Sequence, residues 1–290
     1  MATKLLTDPF AGIEDAPEPT PAETRASLLK STRRGYVPLR KEFVQRRRGE
    51  GSEPRSSLLA QFVTNRRHRP LDAFLLLHAL YPITRDEPLD LKTWARLLSV
   101  GNPCTPNLVG KSFSVLEEMG LVERAHEGRR IIVRPLKETG DRSPWTRAGE
   151  DSGEGGPGFF VIPHAFWTGG LSERLTMPGK AMFLVLLHDT QSPRTPTFHV
   201  ALERMAEWYG ISERTAERGY RELDTAGVLT HHVQKIVDHR HPIGRRTVHH
   251  RALVPPFGTR DRMVLQGRTR AAVRKKVEKT QAVGTVGGAQ

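Results

Sequence analysis

The sequence predicts an α+β, mainly α protein made of two similar units, each a set of helices followed by a β-hairpin. Three observations carry this expectation. Residues 105–122 align without a gap on residues 212–229, at an offset of 107. A repeat of this kind fixes the architecture before any local reading does. Within each copy the apolar residues fall at i, i+4 and i+7, as Val109, Phe113 and Leu116 and as Ala216, Tyr220 and Leu223. That spacing places them on one helix face. After each copy the pattern changes to short β-prone runs separated by turn residues, the mark of a hairpin.

The elements follow in chain order. Residues 1–24 are Pro-rich, acidic and aperiodic, which predicts disorder. Residues 25–56 carry Arg33-Arg34, Arg40-Lys41 and Arg46-Arg47-Arg48 and predict a mobile basic arm or a loosely packed helix, so 1–56 reads as an N-terminal arm. The first unit spans 57–137. Its residues 70–80 read as a buried helix with Pro70 tolerated in the first turn, and 91–100 as a second helix through Trp94, Leu97 and Leu98. The repeated helix comes next. Each copy opens on an N-cap residue, Thr105 or Ser212, and each ends at Gly120 or Gly227, where a left-handed residue can stop it. Residues 121–125 and 129–134 predict a hairpin. Residues 138–158, rich in Gly and acid, predict a flexible linker.

The second unit spans 159–258. It begins with the apolar 159–163, followed by a helix over 178–188. A further helix over 200–209 is expected to pack on Leu202, Met205, Ala206 and Tyr209. Gly210-Ile211 makes the turn, the repeated helix follows, and 229–237 and 247–254 read as strands. Residues 259–290 are basic and polar and predict a disordered tail.

At 290 residues the chain has room for two domains and tails. A net charge of +13 and a pI near 10.3 point to a polyanionic partner. Most of the positive excess lies in 25–69 and 259–290, so specific binding must come from local arrangement while the flanks attract phosphate. The lone Cys104 excludes an internal disulfide and a Cys-rich metal framework. The N-terminus lacks the apolar core of a signal peptide, and the apolar run at 181–187 is too short to span a bilayer. The expectation is a cytoplasmic, nucleoid-associated protein without a membrane partner.

Helix, helix, turn, helix and hairpin, twice over, resembles the winged helix-turn-helix family. Residues 205–223 carry the resemblance, through the run Gly210-Ile211-Ser212-Glu213-Arg214-Thr215, then Arg218 and Arg221-Glu222-Leu223. Ala226-Gly227-Val228-Leu229 then leads into a strand. The first copy departs from the pattern, with Gly101-Asn102-Pro103-Cys104 lengthening its turn and fewer cations on its front. The resemblance covers about 70–136 and 159–257 and implies two winged helix-turn-helix domains joined by the linker. The arrangement is also similar, more weakly, to plasmid and phage replication initiators. In those a segment like Phe160-Val161-Ile162-Pro163, a Leu-rich helix and a helix-turn-helix recur near the start of a module.

In this family the second helix of the pair enters the major groove and its early residues reach base edges. The resemblance therefore selects Ser212, Glu213, Arg214, Thr215 and Arg218, with Arg221 a turn further on and directed to phosphate. In the first copy it selects Asn107, Lys111 and Ser114. The hairpin tip, or wing, adds Arg240, His241, Arg245 and Arg246, and in the first unit Arg129 and Arg130. The bland alternative is a solvated helix face of a protein-interaction domain.

Six histidines lie between 231 and 250, but without familiar ligand spacing, and alternation on paired strands explains them without a metal. Gly110-Lys111-Ser112 mimics the end of a phosphate-binding loop, yet Thr105 stands where that loop needs its first glycine. No paired carboxylates or nucleophile–base set stands out, so neither an enzyme nor a cofactor is expected. The expectation is sequence-specific binding of double-stranded DNA as a transcription regulator. A replication initiator binding origin repeats and a non-DNA adaptor are the alternatives. A homodimer or replication and transcription proteins are further possible partners.

Overall fold

The computed structural model describes residues 15–46, 57–127, 130–150 and 158–286. About 49% of the chain is helical, and among the described residues the strands form three two-stranded antiparallel sheets. The protein is therefore α+β and mainly α.

The first half runs α1 (Pro21–Ser31), β1 (Tyr36–Arg40), α2 (Leu58–Thr64), α3 (His68–Thr84), α4 (Leu91–Leu98), α5 (Pro106–Glu118), β2 (Val122–Glu127) and β3 (Arg130–Pro135). The second runs β4 (Phe159–Pro163), α6 (Ala165–Thr168), α7 (Leu171–Arg174), α8 (Met177–Asp189), α9 (Met205–Tyr209), α10 (Glu213–Thr225), β5 (Leu229–Val237), β6 (Arg245–Leu253) and α11 (Thr259–Val286).

The repeat is drawn alike in both halves. α5 and α10 are each 13 residues long. The Thr105 hydroxyl accepts from the Leu108 amide at 3.4 Å, and the Ser212 hydroxyl from the Thr215 amide at 3.3 Å. Both helices stop at a left-handed glycine, Gly120 with φ +70° and Gly227 with φ +69°. Val109, Phe113 and Leu116 are fully buried, as are Ala216 and Leu223, with Tyr220 nearly so.

Three segments expected to be disordered, flexible or only loosely packed are ordered where they are described. In the N-terminal arm, Thr20 and Glu23 form a capping box that starts α1, with Pro21 in its first turn. Arg25 of α1 is buried, donating to the Trp167 carbonyl at 3.2 Å and pairing with Glu173 at 2.6 Å. β1 pairs with β4 in the register Tyr36↔Pro163 to Arg40↔Phe159. Pro38 is tolerated there because this sheet has only edge strands.

The described part of the linker, 138–150, is packed as well. The buried carboxylate of Glu138 pairs with the buried Arg40, which also reaches the Thr146 carbonyl at 3.0 Å and hydroxyl at 2.7 Å. Trp145 stands edge-on to Tyr81 with ring centres 4.7 Å apart. Residues 151–157 of the expected linker lie outside the described residues. Burial pushes the Glu138 acid up, and burial together with Arg40 pushes the neighbouring His78 down to about 3.

The tail forms α11. Its Arg262 is 1% exposed and caps the end of α8, donating to the carbonyls of Leu187 at 3.1 Å and Thr190 at 2.5 Å and to that of Phe257 at 3.0 Å. The helix expected over 200–209 is shorter. A 3-10 turn at Leu202–Arg204 precedes α9, leaving Ala206 exposed and Leu202 half-buried.

The consequence is one continuous hydrophobic core, from Leu29 of α1 to Phe257 before α11. Among the described residues, no helix is long and apolar enough to cross a membrane.

Candidate nucleic-acid interface

α10 is fastened along its back and open along its front. Its buried side packs on α8 so closely that a Cβ at Gly219 would overlap the Pro178 carbonyl oxygen and the Met182 side chain. The Glu222 carboxylate then takes over the start of α8. It accepts from the Thr176 amide at 2.9 Å, the Thr176 hydroxyl at 2.5 Å and the Gly179 amide at 3.2 Å. These are the amides that a helix start leaves unpaired, and the α8 N-cap residue, Thr176, supplies no capping bond of its own.

Arg214, Arg218 and Arg221 occupy the opposite face, all exposed. Arg218 donates to Glu222 at 3.1 Å and Arg221 to Glu217 at 3.3 Å. The Arg221–Glu217 pair is exposed on both sides and contributes roughly 0.3–0.5 kcal/mol, so a stronger anion displaces it at little cost, whereas Glu222 is mostly buried and stays bound to the start of α8. Arg214 has no acidic partner among the described residues. Ser212 and Thr215 are engaged in the cap, with their hydroxyls 2.9 Å apart. Glu213 sits exposed in the first turn, where a carboxylate suits the helix dipole.

The β5–β6 hairpin projects beside α10. Its nine paired positions run from Leu229↔Leu253 to Val237↔Arg245. Arg240, His241, Arg245 and Arg246 lie exposed around its tip. Arg246 pairs loosely with Asp238 at 3.7 Å. Arg221 and Glu217 of α10 and Arg246 and His249 of the hairpin line one concavity of about 910 Å³. At its floor the Arg251 guanidinium covers the Tyr220 ring at 4.0 Å, a cation–π contact that fixes the hairpin against α10.

His231, His249 and His250 of the hairpin pair with each other or with a polar neighbour. His231 Nε2 and His249 Nδ1 are 2.9 Å apart with parallel rings, and His250 Nε2 meets Gln234 Oε1 at 2.9 Å. Partial desolvation, then Arg251 and His249, push the His231 proton affinity down. Among the described residues no three His, Cys, Asp or Glu side chains are grouped to hold a metal ion.

The first unit arranges its matching residues differently. Asn107 and Lys111 are exposed on α5. Ser114 is half-buried, with its hydroxyl donating to the Gly110 carbonyl at 3.0 Å and accepting from Arg124 at 2.8 Å. Arg124 in turn grips Glu117 through Nε at 2.8 Å and Nη2 at 2.6 Å. Ser114 is therefore part of an internal clamp and is not free to read a ligand. Arg129 lies outside the described residues. Arg130 opens β3 opposite Glu127, and its side chain lies outside the described residues.

Lys111 stands on the wall of a cleft of about 690 Å³ that also receives Arg66, His68 and Arg69 from the start of α3 and Thr176 and Lys180 from the second half. Lys180 is neutralised by Asp72 at 2.6 Å. Arg66, Arg69 and Lys111 have no acidic partner among the described residues. Among the described residues Arg69 reaches the Pro103 carbonyl, at 3.5 Å. Thr176 belongs to this cleft and is bonded to Glu222, the partner of Arg218. Arg218 is also near enough to lower the proton affinity of His68, which burial and Lys180 depress first. The cations of α5, the α3 start and α10 thus follow one another over one surface.

Arg66, His68 and Arg69 were not singled out by the sequence. Their only signal was a basic run directly before an apolar helix. No protein-family model, curated protein or solved structure matches the chain.

Proposed function

We propose that the chain binds double-stranded DNA in a sequence-specific way, as a transcription regulator built from two winged helix-turn-helix units. The observation that carries this reading is the exposed front of α10. Arg214, Arg218 and Arg221 line up on it and continue through a shared concavity to Arg246 of the hairpin. A guanidinium fork matches guanine O6 and N7 in the major groove, which an α-helix fits. Arg214 and Arg218, near the start of α10, are the base readers. Arg221 and the arginines of the hairpin take phosphate. Asn107 and Lys111 of α5, with Arg66 and Arg69, form an auxiliary backbone contact on the same side.

Selection of bound fragments from a random duplex library tests the reading. The expected result is one enriched sequence class, bound ~10³-fold or more above random DNA. Uniform, salt-sensitive binding to every duplex would sink the sequence-specific reading. The same selection run on genomic fragments separates the two roles, since enriched sites clustered as tandem repeats in one replication origin would turn the regulator into an initiator.

A further inference from the structure

The tip of the β5–β6 hairpin carries a feature that phosphate binding does not explain. Val237 is 73% exposed and Ile243 70% exposed, more than the other exposed large apolar side chains of the described residues. Pro242 beside Ile243 is exposed as well. The nine-residue strands make an arm of roughly 30 Å at ~3.4 Å per residue, and from Thr230 to Lys235 β5 is exposed on both of its faces. The tip therefore lies far from any core that could cover it. Single exposed apolar side chains are ordinary, but two at the end of one solvated arm with cations around them offer a contact surface.

The tip is also well organised. The Asp238 amide donates to the Gly244 carbonyl at 3.0 Å, His241 to Asp238 at 3.0 Å and Gly244 to His241 at 2.8 Å. The Asp238 carboxylate further accepts from the Arg240 amide at 3.0 Å. Gly244, at φ +67°, makes the left-handed residue that this closure needs. The apolar point is thus held in place by backbone bonds. Around it stand Arg240, His241, Arg245 and Arg246, and the single acid, Asp238, is already taken.

We infer that Ile243, backed by Pro242, is a wedge that enters the minor groove and opens a base step, so that the protein bends the DNA it binds. This rests on the DNA reading above and adds a mechanical activity to it. The chemistry fits: side chains such as Ile and Pro part a base step while flanking cations hold the phosphates on either side, and the duplex kinks away. The concavity shared by Arg221 and Arg246 joins the arm to the α10 front. One duplex can therefore meet both, and bending it brings more phosphate onto the basic surface.

Ligase-mediated closure of a ~120-bp fragment, shorter than the ~150-bp persistence length of DNA, measures bending on a duplex of any sequence. Fluorescence anisotropy on a labelled 30-bp duplex, run in parallel, measures binding alone. The intact protein is expected to raise circle yield ~10-fold or more. Ile243→Ala is expected to bring the yield to within ~2-fold of bare DNA while weakening duplex binding by no more than ~3-fold. Ile243→Leu should restore closure. The tip is solvent-exposed, so these variants fold. Binding without enhanced closure, or closure that survives Ile243→Ala, overturns the wedge and leaves the DNA reading standing. Absence of binding to any duplex overturns both. Ile243-dependent binding to anionic phosphatidylserine vesicles, with ring closure unaffected by Ile243→Ala, would reassign the tip to a lipid surface and overturn the wedge.

Discussion

α5 and α10 share their length, caps and buried back, and they differ on the face that would meet a ligand. Both are 13 residues long, both open on a hydroxyl cap and both stop at a left-handed glycine. Yet α10 shows three arginines to solvent, where α5 shows Asn107, Lys111 and the half-buried Ser114. Position by position, Arg221 is exposed while Ser114 is locked under Arg124. Gly219 admits α8 to close contact, where Ser112 fills the same place with a side chain bonded to the Leu108 carbonyl at 2.9 Å. The back and the caps specify a shared architecture. The front is free to differ, and under the proposed function that difference separates a reading helix from a supporting one.

The supporting helices differ in the same sense, and this gives the largest expected effect. α8 ends on a buried Thr190 and is capped by Arg262 of α11, whereas α3 ends at the exposed Arg85. Arg262→Ala should destabilise the protein by about 2–4 kcal/mol, because a buried carbonyl left without a donor costs ~1–3 kcal/mol, while the Thr190 and Leu187 carbonyls keep Thr259 and Gln191 as donors and lose less. Arg85→Ala should stay within ~0.5 kcal/mol, as exposed substitutions do. Denaturant unfolding measures both. Equal effects would show that the tail is no more than decoration on the second half.

The next effect concerns the helix–helix approach. Gly219→Ala forces a methyl against the Pro178 carbonyl and Met182, and overpacking of this kind costs ~1–3 kcal/mol. Ser112→Ala removes one neutral hydrogen bond and should cost ~1 kcal/mol or less. Because Gly219 sits on the helix that carries the arginines, its substitution should also tilt α10 and weaken DNA binding. Ser112→Ala should leave binding intact. A Gly219→Ala variant as stable as the parent would mean that α8 yields readily, and the close approach would have no specifying role.

How far the sequence led follows from what kind of force orders each part. The repeated helices, their caps and both hairpins were legible because apolar period, turn glycines and cap residues are local signals. Gly120 and Gly227 end their helices as the pattern requires. The capping box of α1 was equally local, in Thr20 and Glu23, but the acidic, Pro-rich composition around it outweighed it. β1, the packed 138–150 segment and α11 depend on long-range pairing: Tyr36 with Pro163, Arg40 with Glu138, Arg262 with Thr190. A buried arginine reads in sequence like any member of a basic run, so Arg25, Arg40 and Arg262 looked like mobile charge. The same blindness hid the cleft that Lys111 shares with Arg66, His68 and Arg69. A single core also replaces the picture of two readers on a flexible tether. The described basic groups of both halves are held on that one core.

The contrast between the two fronts predicts a third effect, of similar size but on binding alone. Arg214→Ala should weaken binding to the preferred duplex by about 1–3 kcal/mol and relax preference at one base pair. Lys111→Ala should weaken binding to all duplexes alike and reduce the log–log salt slope by about one unit. Competition titrations against preferred and random duplexes, at two salt concentrations, distinguish the outcomes. Base selectivity lost with Lys111 and kept without Arg214 would reverse the assignment of reader and support.

The smallest expected effect is also the most specific to α10. Glu217 lies on the edge of its basic front and holds Arg221 at 3.3 Å, with both side chains largely exposed. α5 has Gly110 at the matching position and so no such restraint. The pair is worth only ~0.3–0.5 kcal/mol to the helix, but in a complex the carboxylate would face phosphate and repel it. Glu217→Gln removes that repulsion and releases Arg221, while an amide of the same shape preserves the helix. Binding should tighten by up to ~1 kcal/mol, or about fivefold, at low salt, and the gain should fade as screening shortens toward the ~8 Å Debye length of physiological salt. Anisotropy titrations at rising salt read this directly. Unchanged or weaker binding would place Arg221 away from the phosphate backbone, and the concavity between α10 and the hairpin would then belong to the protein's own structure and not to its ligand.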